Sequence, residues 1–186
     1  QFEDVETDNN GNIFISGTVN GTADFGNGVI ISTSLVTTHF EGFILKLDST
    51  GKAKWATTIR TVITGSYIPS FNITVDNNND VVAGGQFTTD ITFSASPNTI
   101  LYNLPALSGR PDFCAVKYTS YGGFMWARKY TDVSSDWITD IGNDSANNIY
   151  LLGATSGSGF TFGSQSFAGD CSVILKVDPS GNPIKG

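Results

Sequence analysis

Short apolar runs recur along this chain and are separated by clusters of Asp, Asn and Gly. The runs at residues 13–15 and 149–152 are continuous and do not alternate with polar positions. Continuous runs of this length are typical of strands that are buried on both faces. The clusters contain residues that tolerate positive φ or hydrogen-bond their own backbone, so each predicts a tight hairpin turn. The pattern therefore predicts an all-β chain of short strands.

One segment occurs three times at a constant spacing of 68 residues. It reads D-N-N-G-N-I-F-I-S-G from Asp8, D-N-N-N-D-V-V-A-G-G from Asp76 and D-S-A-N-N-I-Y-L-L-G from Asp144. A second segment follows in each copy, with aligned lysines and glycines at Lys46, Lys117, Lys176, Gly51, Gly122 and Gly181. Each copy therefore divides into four strands, A to D, with tight turns between A and B and between C and D.

Four-stranded antiparallel sheets that repeat in tandem and cover each other's faces describe the blades of a β-propeller. We predict a propeller-like array with blades at residues 1–67, 68–137 and 138–186, which together form one partial propeller domain. The third blade is predicted to lack its last strand, because the sequence stops just after the C-to-D turn. Strand periodicity also fits a β-sandwich, which is the alternative fold.

These segments resemble the SBBP repeats, the seven-bladed β-propeller type repeats of large secreted and cell-surface proteins. The family pattern is I-x-V-D-x-x-G-N-I-Y-V-x-G followed by D-x-F-x-x-K-x-D-x-x-G-x-x-x-W. Matching residues are Val75 and Asp76, Asn148 to Tyr150, and Lys46 to Trp55. Two positions depart from the pattern, with Thr119 at the turn aspartate of copy 2 and Lys185 at the tryptophan of copy 3. The resemblance implies a non-catalytic structural or adhesive module on an extracellular or cell-surface protein.

The charge balance excludes one class of partner. The chain has 17 acidic and 10 basic residues, a net charge of −7, and it has no basic stretch. Such a chain repels a phosphate backbone, so nucleic acid is not an expected partner. No charge-free apolar run approaches 18 residues, so no membrane span is expected either.

Cysteine and histidine are too few for a disulfide framework or a Cys/His zinc site. Counted back from the strand C lysines, Cys114 and Cys171 lie at odd offsets of three and five positions. Both therefore point to the same side of their own blades and cannot meet across one gap. We predict that they remain unpaired, buried thiols.

The long B-to-C segments, residues 18–39, 86–111 and 154–170, share the face opposite the tight turns with the D-to-A segments. Loops on a rigid scaffold concentrate binding residues, so this face is the first candidate for recognition. Trp137 and the neighbouring Asp136 are the candidate contacts for a ligand or partner, and a plug over a blade junction is the alternative for Trp137. Trp55 and Trp126 occupy one repeat position in strand D and are predicted to pack between blades.

Other candidate chemistry is weaker. Asp76 and Asp80 offer the most oxygen ligands for calcium, but hairpin turns already account for the Asp/Asn clusters, and no cofactor is predicted. His39 has no nucleophile motif beside it and is interpreted as a loop residue. Among the N-glycosylation sequons, Asn20 has the most plausible exposed context.

Two function classes fit these observations. The first is a non-catalytic structural or adhesive propeller module, and the alternative is a lectin-like, carbohydrate-binding propeller that uses the long-loop face. No catalytic constellation occurs, so the chain is not predicted to be an enzyme. The expected partners are other copies of itself, further blades of the same polypeptide, or glycans. We also expect the array not to be a stable isolated monomer, because its end blades would each leave a face uncovered.

Overall fold

The computed structural model describes residues 1–33, 40–61, 71–96, 99–106, 111–130, 135–157 and 159–185. In these ranges the protein is all-β, with eighteen antiparallel strands and no helix. The strands are β1 (Phe2–Thr7), β2 (Ile13–Val19), β3 (Thr22–Asp24), β4 (Ile30–Ser32), β5 (Glu41–Leu47), β6 (Ala53–Thr61), β7 (Phe71–Val75), β8 (Val81–Phe87), β9 (Ile91–Ser96), β10 (Thr99–Leu104), β11 (Asp112–Tyr118), β12 (Phe124–Lys129), β13 (Ser135–Asn143), β14 (Ile149–Ser156), β15 (Phe160–Phe162), β16 (Gln165–Phe167), β17 (Cys171–Val177) and β18 (Pro183–Lys185).

Each repeat folds into one four-stranded meander, which we call a blade. Blade 1 is β1-β2-β5-β6, blade 2 is β7-β8-β11-β12, and blade 3 is β13-β14-β17-β18. The second strands begin at Ile13, Val81 and Ile149, so they keep the 68-residue spacing of the sequence repeat. Nearly every residue of β8 and all of β11 are buried, because blade 2 lies between the other two blades. The predicted array of antiparallel blades is confirmed.

The predicted A-to-B turns form through their leading aspartates. The Asp76 Oδ1 atom accepts the backbone N–H groups of Asn78 and Asp80 at 2.8 and 3.0 Å. Asn79 closes the turn at a φ of 63°, a left-handed conformation that Asn tolerates and most residues avoid. Asp8 and Asp144 accept the same two backbone hydrogen bonds in their own turns.

The B-to-C segments are not simple loops, which corrects one expectation. Each contains a two-stranded hairpin: β3-β4, β9-β10 or β15-β16. The β9-β10 hairpin of blade 2 also pairs with β6 of blade 1, from Thr58↔Ser94 to Thr61↔Ile91, and extends blade 1 to six strands. The outer edge of β6 is satisfied by backbone hydrogen bonds from the next repeat.

The third blade also differs from prediction. It has a last strand, because β18 pairs with β17 through Lys176↔Lys185 and Val177↔Pro183. Three residues after the C-to-D turn are enough to begin the ladder. The predicted boundary between residues 137 and 138 falls inside β13, so blade 3 begins at least as early as Ser135.

Two cores fill the gaps between adjacent blades. Phe14 and Ile44 of blade 1 pack with Phe71 and Tyr118 of blade 2, and all four are at most 2% exposed. The second core lies between blades 2 and 3 and includes Phe113, Trp126, Ile149, Leu151 and Leu175. A third cluster covers the free side of blade 1 beneath the β3-β4 hairpin.

Both cysteines are unpaired, as predicted, but only Cys114 is buried; Cys171 is partly exposed, which corrects the prediction of two buried thiols. Cys114 is buried in the core between blades 1 and 2, whereas Cys171 packs at the edge of the core between blades 2 and 3. Each cysteine faces the preceding blade, so the two thiols lie in different gaps between blades. Burial raises the pKa of the Cys114 thiol far above its ordinary range, so this group behaves as a small apolar side chain.

The first strands of the blades lie beside one another, β1 against β7 and β7 against β13. Burial raises the pKa of Glu6, and the carboxylates of Asp4 in the same strand and Asp140 in blade 3 raise it further. The first strands of the three blades thus form one row, with β7 between β1 and β13. No helix in the described ranges has the length and apolarity to cross a membrane.

Candidate functional site

In the described residues, each junction between blades brings together a tryptophan, a backbone carbonyl and a glycine. At the first junction, the Trp55 Nε1 atom donates a hydrogen bond of 3.1 Å to the backbone oxygen of Ser120 in the next C-to-D turn. The indole lies over Gly122, where an added Cβ would come within 2.9 Å of the ring. Gly122 is also at a φ of 83°. The junction therefore requires glycine at this position for both space and backbone conformation.

The second junction repeats this arrangement one blade later. The Trp126 Nε1 atom donates to the Pro179 backbone oxygen at 3.1 Å, and an added Cβ at Gly181 would lie 3.0 Å from the Trp126 ring. The predicted packing role of both tryptophans is confirmed. We call this contact the tryptophan latch. Sequence reasoning identified the aligned glycines but not that the preceding tryptophan covers them.

A lysine–aspartate pair joins strand C to the A-to-B turn in every blade. The Lys117 Nζ atom lies 2.6 Å from Asp76 Oδ2, with 3% and 1% of the two side chains exposed. The corresponding distances are 3.6 Å for Lys46 and Asp8 and 3.2 Å for Lys176 and Asp144. The aligned lysines of the repeat are therefore structural partners of the turn aspartates.

The face of blade 3 that points away from blade 2 is uncovered. We call the face that points toward the following repeat the forward face. On blade 1 it carries Ser16 and Ile44, which are fully buried by blade 2. The same positions of blade 3 are Leu152 and Ile174, which are 41% and 61% exposed. Among the described residues, blade 3 thus exposes apolar side chains at repeat positions that are buried in blade 1.

The structure separates the two residues predicted to contact a ligand. Trp137 is 40% exposed on β13, so its predicted contact role stays a prediction. Asp136 is fully buried, and its backbone N–H donates to the Pro111 carbonyl. Its carboxylate is not presented to a ligand in solution, because β13 extends further toward the chain start than expected and places Asp136 inside the sheet. The sequon residue Asn20 is half-buried between β2 and β3.

The proposed calcium ligands already have partners. Asp76 accepts two backbone N–H groups through one oxygen and faces Lys117 through the other. A buried ammonium group occupies the position where a cation would bind, so this arrangement does not suit Ca²⁺. In the described ranges no cluster of three acidic, His or Cys side chains could hold a metal ion. His39 lies outside the described residues.

We expect these turns to make the fold acid-labile. A hydrogen bond from the Asn148 side chain lowers the pKa of Asp144, and one from the Thr50 hydroxyl lowers the pKa of Asp48. At Asp178, burial raises the pKa, but the hydrogen bonds of the turn lower it by more. Because the folded-state values lie below the ordinary value of 3.8, the stability they contribute is full above that pH and is lost as the pH falls below it. Melting temperatures should therefore drop modestly as the pH falls from about 4 to about 2, because these carboxylates lie at the surface, where water screens their interactions.

The control for this prediction is Asp178→Asn, which cannot titrate. Its melting temperature should be lower than that of the natural protein at pH 7, and the difference should shrink as the pH falls below 3.8. A difference that stays constant across this range would contradict the assignment.

Part of this chain is similar to a WD repeat-containing protein. No family model matches the chain. Over 98 residues it is 30% identical to the "Uncharacterized WD repeat-containing protein L264" of Acanthamoeba polyphaga mimivirus, a match that spans 46% of this chain and 7% of that protein. The chain thus corresponds to a small part of this relative. WD repeats form propeller blades, so the similarity agrees with a propeller-like repeat protein.

Proposed function

We propose that this chain is a non-catalytic structural or adhesive module of an extracellular surface protein or filament, and that it works by packing against further blades. The observation that supports this most is the forward face of blade 3. Its apolar residues occupy repeat positions that are fully buried wherever a next blade is present. Exposed apolar patches of this kind mark interaction surfaces.

Polar groups on the same side of blade 3 support the proposal. In blade 1, Asp4 accepts its neighbour's backbone N–H through Oδ1 and the N–H of Ile73 in the next blade through Oδ2, both at 2.8 Å. Asp140 stands at the same repeat position and accepts the Ile141 N–H at 2.8 Å through Oδ1. Among the described residues its Oδ2 has no hydrogen-bond partner. A following blade would supply an N–H group to this oxygen.

At the opposite end of the array, the glycine position that a latch tryptophan covers in the other blades is uncovered. Gly51 is equivalent to Gly122 and Gly181 and has a φ of 83°, but no atom lies within 4 Å of an added Cβ. A tryptophan from a preceding blade would fill this space. Blade 3 carries Lys185 at the latch position, so a second copy of this chain would not supply that tryptophan. A partner that fills the space at Gly51 is therefore a further blade that ends in a strand D tryptophan, whereas a second copy of this chain can cover the forward face of blade 3 without that contact.

The extracellular location and the non-catalytic role are supported by the SBBP resemblance of the repeats. The absence of a catalytic motif in the sequence agrees with a scaffold role. This placement in a surface protein or filament is part of the proposal.

The test is the size of the 186-residue chain in solution. We expect light scattering to show dimers or larger species, because the forward face of blade 3 associates with another surface. Ile174→Glu should shift this distribution toward 19.8 kDa, since a charge on the forward face opposes burial.

Met125→Glu is the matched control, because Met125 is 46% exposed on β12 of the middle blade and lies on neither end of the array. It should leave the size distribution unchanged. A monodisperse 19.8 kDa species for the natural chain, unaffected by Ile174→Glu, would count against packing through this face.

A further inference from the structure

A cleft of about 340 Å³ opens at the first junction, on the tight-turn face of the molecule. It is lined by Asn12, Lys46, Lys54, Trp55, Ser120 and Tyr121. Its volume lies near the lower end of the range for small-molecule sites, about 300–1,000 Å³, so it suits a single ring. The cleft lies opposite the long-loop face and does not involve Trp137.

The floor of the cleft is fixed by the latch. Lys46 Nζ and Trp55 Nε1 both donate to the Ser120 backbone oxygen, at 3.0 and 3.1 Å. Lys46 is also 3.6 Å from the buried Asp8 carboxylate and 4.7 Å from the centre of the Phe14 ring. These contacts hold the indole and one ammonium group in place before any ligand arrives, which lowers the entropy cost of binding.

The rim carries groups whose structural role is small. Tyr121 is 90% exposed at the tip of a turn. Lys54 is exposed on β6, and no carboxylate lies within 4.0 Å of its ammonium group in the described part of the chain. An exposed aromatic ring and an unpaired ammonium group at the mouth of one cleft are available to a ligand.

The second junction is an internal comparison. The second junction has the same latch. Its rim positions differ: Met125 replaces Lys54, Ser180 replaces Tyr121, and Asp80 replaces Asn12. The latch therefore does not require an ammonium group, an aromatic ring or an amide at these positions. The rim of the first junction differs in chemistry, since Lys54 and Tyr121 add an ammonium group and an aromatic ring. Asn12, whose Nδ2 donates to Asp8 at 2.7 Å, removes the negative charge that Asp80 carries at the second junction.

We propose that this cleft binds a carboxylated sugar. The sugar ring would lie against Tyr121 and the Trp55 edge, with its hydroxyl groups near the Asn12 amide and its carboxylate at Lys54. The side chains that line the cleft include two ammonium groups and no carboxylate. The nearby Asp80 is engaged elsewhere, since its Oδ1 accepts the Ser120 N–H and its Oδ2 faces Lys117 at 3.9 Å. A singly charged carboxylate matches one unpaired lysine better than a phosphate, which carries about −1.5 to −2 at pH 7.

The experiment is an amide NMR titration of the 186-residue chain with sodium glucuronate, and with glucose and sodium acetate as separate arms. We expect saturable shifts at Asn12, Lys54 and Tyr121 with glucuronate at millimolar concentrations, and much weaker shifts with glucose or acetate. No saturation by about 50 mM glucuronate, or equal affinity for glucose or acetate, would overturn the proposal.

Two variants transplant the rim of the second junction into the first. Lys54→Met and Tyr121→Ser should each weaken glucuronate binding about tenfold, because each removes one direct contact. Both residues are exposed, so the fold should persist, which thermal unfolding checks. Trp137→Ala should leave the affinity unchanged. Unchanged affinity in both rim variants, or its loss in Trp137→Ala alone, would overturn the proposed site. Neither result depends on blade assembly, which the Ile174→Glu test addresses separately.

Discussion

Lys117→Met is expected to lower the free energy of unfolding by about 3–5 kcal/mol, because it leaves the Asp76 carboxylate buried without its counter-charge. Only 1% of the Asp76 side chain is exposed, and the Lys117 ammonium group that the substitution removes lies 2.6 Å from the Asp76 carboxylate. Methionine keeps the length and apolar contacts of the lysine stem, so the loss reports on the charge. Urea unfolding followed by tryptophan fluorescence measures it.

Lys176→Met is the matched control, since the equivalent pair in blade 3 is about 30% exposed and is screened by water. Its effect should be much smaller. Adding Asp76→Asn to Lys117→Met should recover part of the lost stability, because the orphaned charge is then removed. Equal effects of the two lysine variants would show that burial between blades does not govern the strength of this pair.

Trp126→Ala is expected to cost about 3–5 kcal/mol, because it opens a cavity between blades 2 and 3 and breaks the latch to Pro179. Trp126 is 7% exposed, whereas Trp137 is 40% exposed. Trp137→Ala should therefore change the free energy of unfolding by less than about 1 kcal/mol. Thermal or urea unfolding of the two variants side by side measures the difference, and similar losses would contradict the latch as the main junction contact.

The repeat made the blades predictable, because each blade is specified by local chemistry. Asp76 and Asn79 determine their turn almost alone, and the apolar run from Val81 follows directly. The tryptophan position was also predictable, since one aromatic recurs at one place in strand D. Local patterns of this kind do not depend on distant residues.

The hairpins and the cleft depend on contacts between repeats, which sequence spacing does not display. The alternation Phe160-Thr161-Phe162 before Gly163 was a strand-and-turn signal that could have revealed one hairpin. Nothing local indicates that β9 pairs with β6. Lys54 of β6 and Tyr121 of the next C-to-D turn line one cleft only because successive blades pack together, so the cleft was not predictable without the latch geometry.

The six-stranded sheet gives the array unequal mechanical strength. Separating blade 1 from blade 2 requires breaking the backbone ladder between β6 and β9 in addition to side-chain packing. In the described ranges, blades 2 and 3 belong to separate sheets. In these ranges they are held together by side-chain packing, several side-chain hydrogen bonds and a single backbone hydrogen bond from Asp136 to Pro111, without a ladder between strands. Under a pulling force the second junction would yield first, and blades 1 and 2 would remain together as the unit that bears the load.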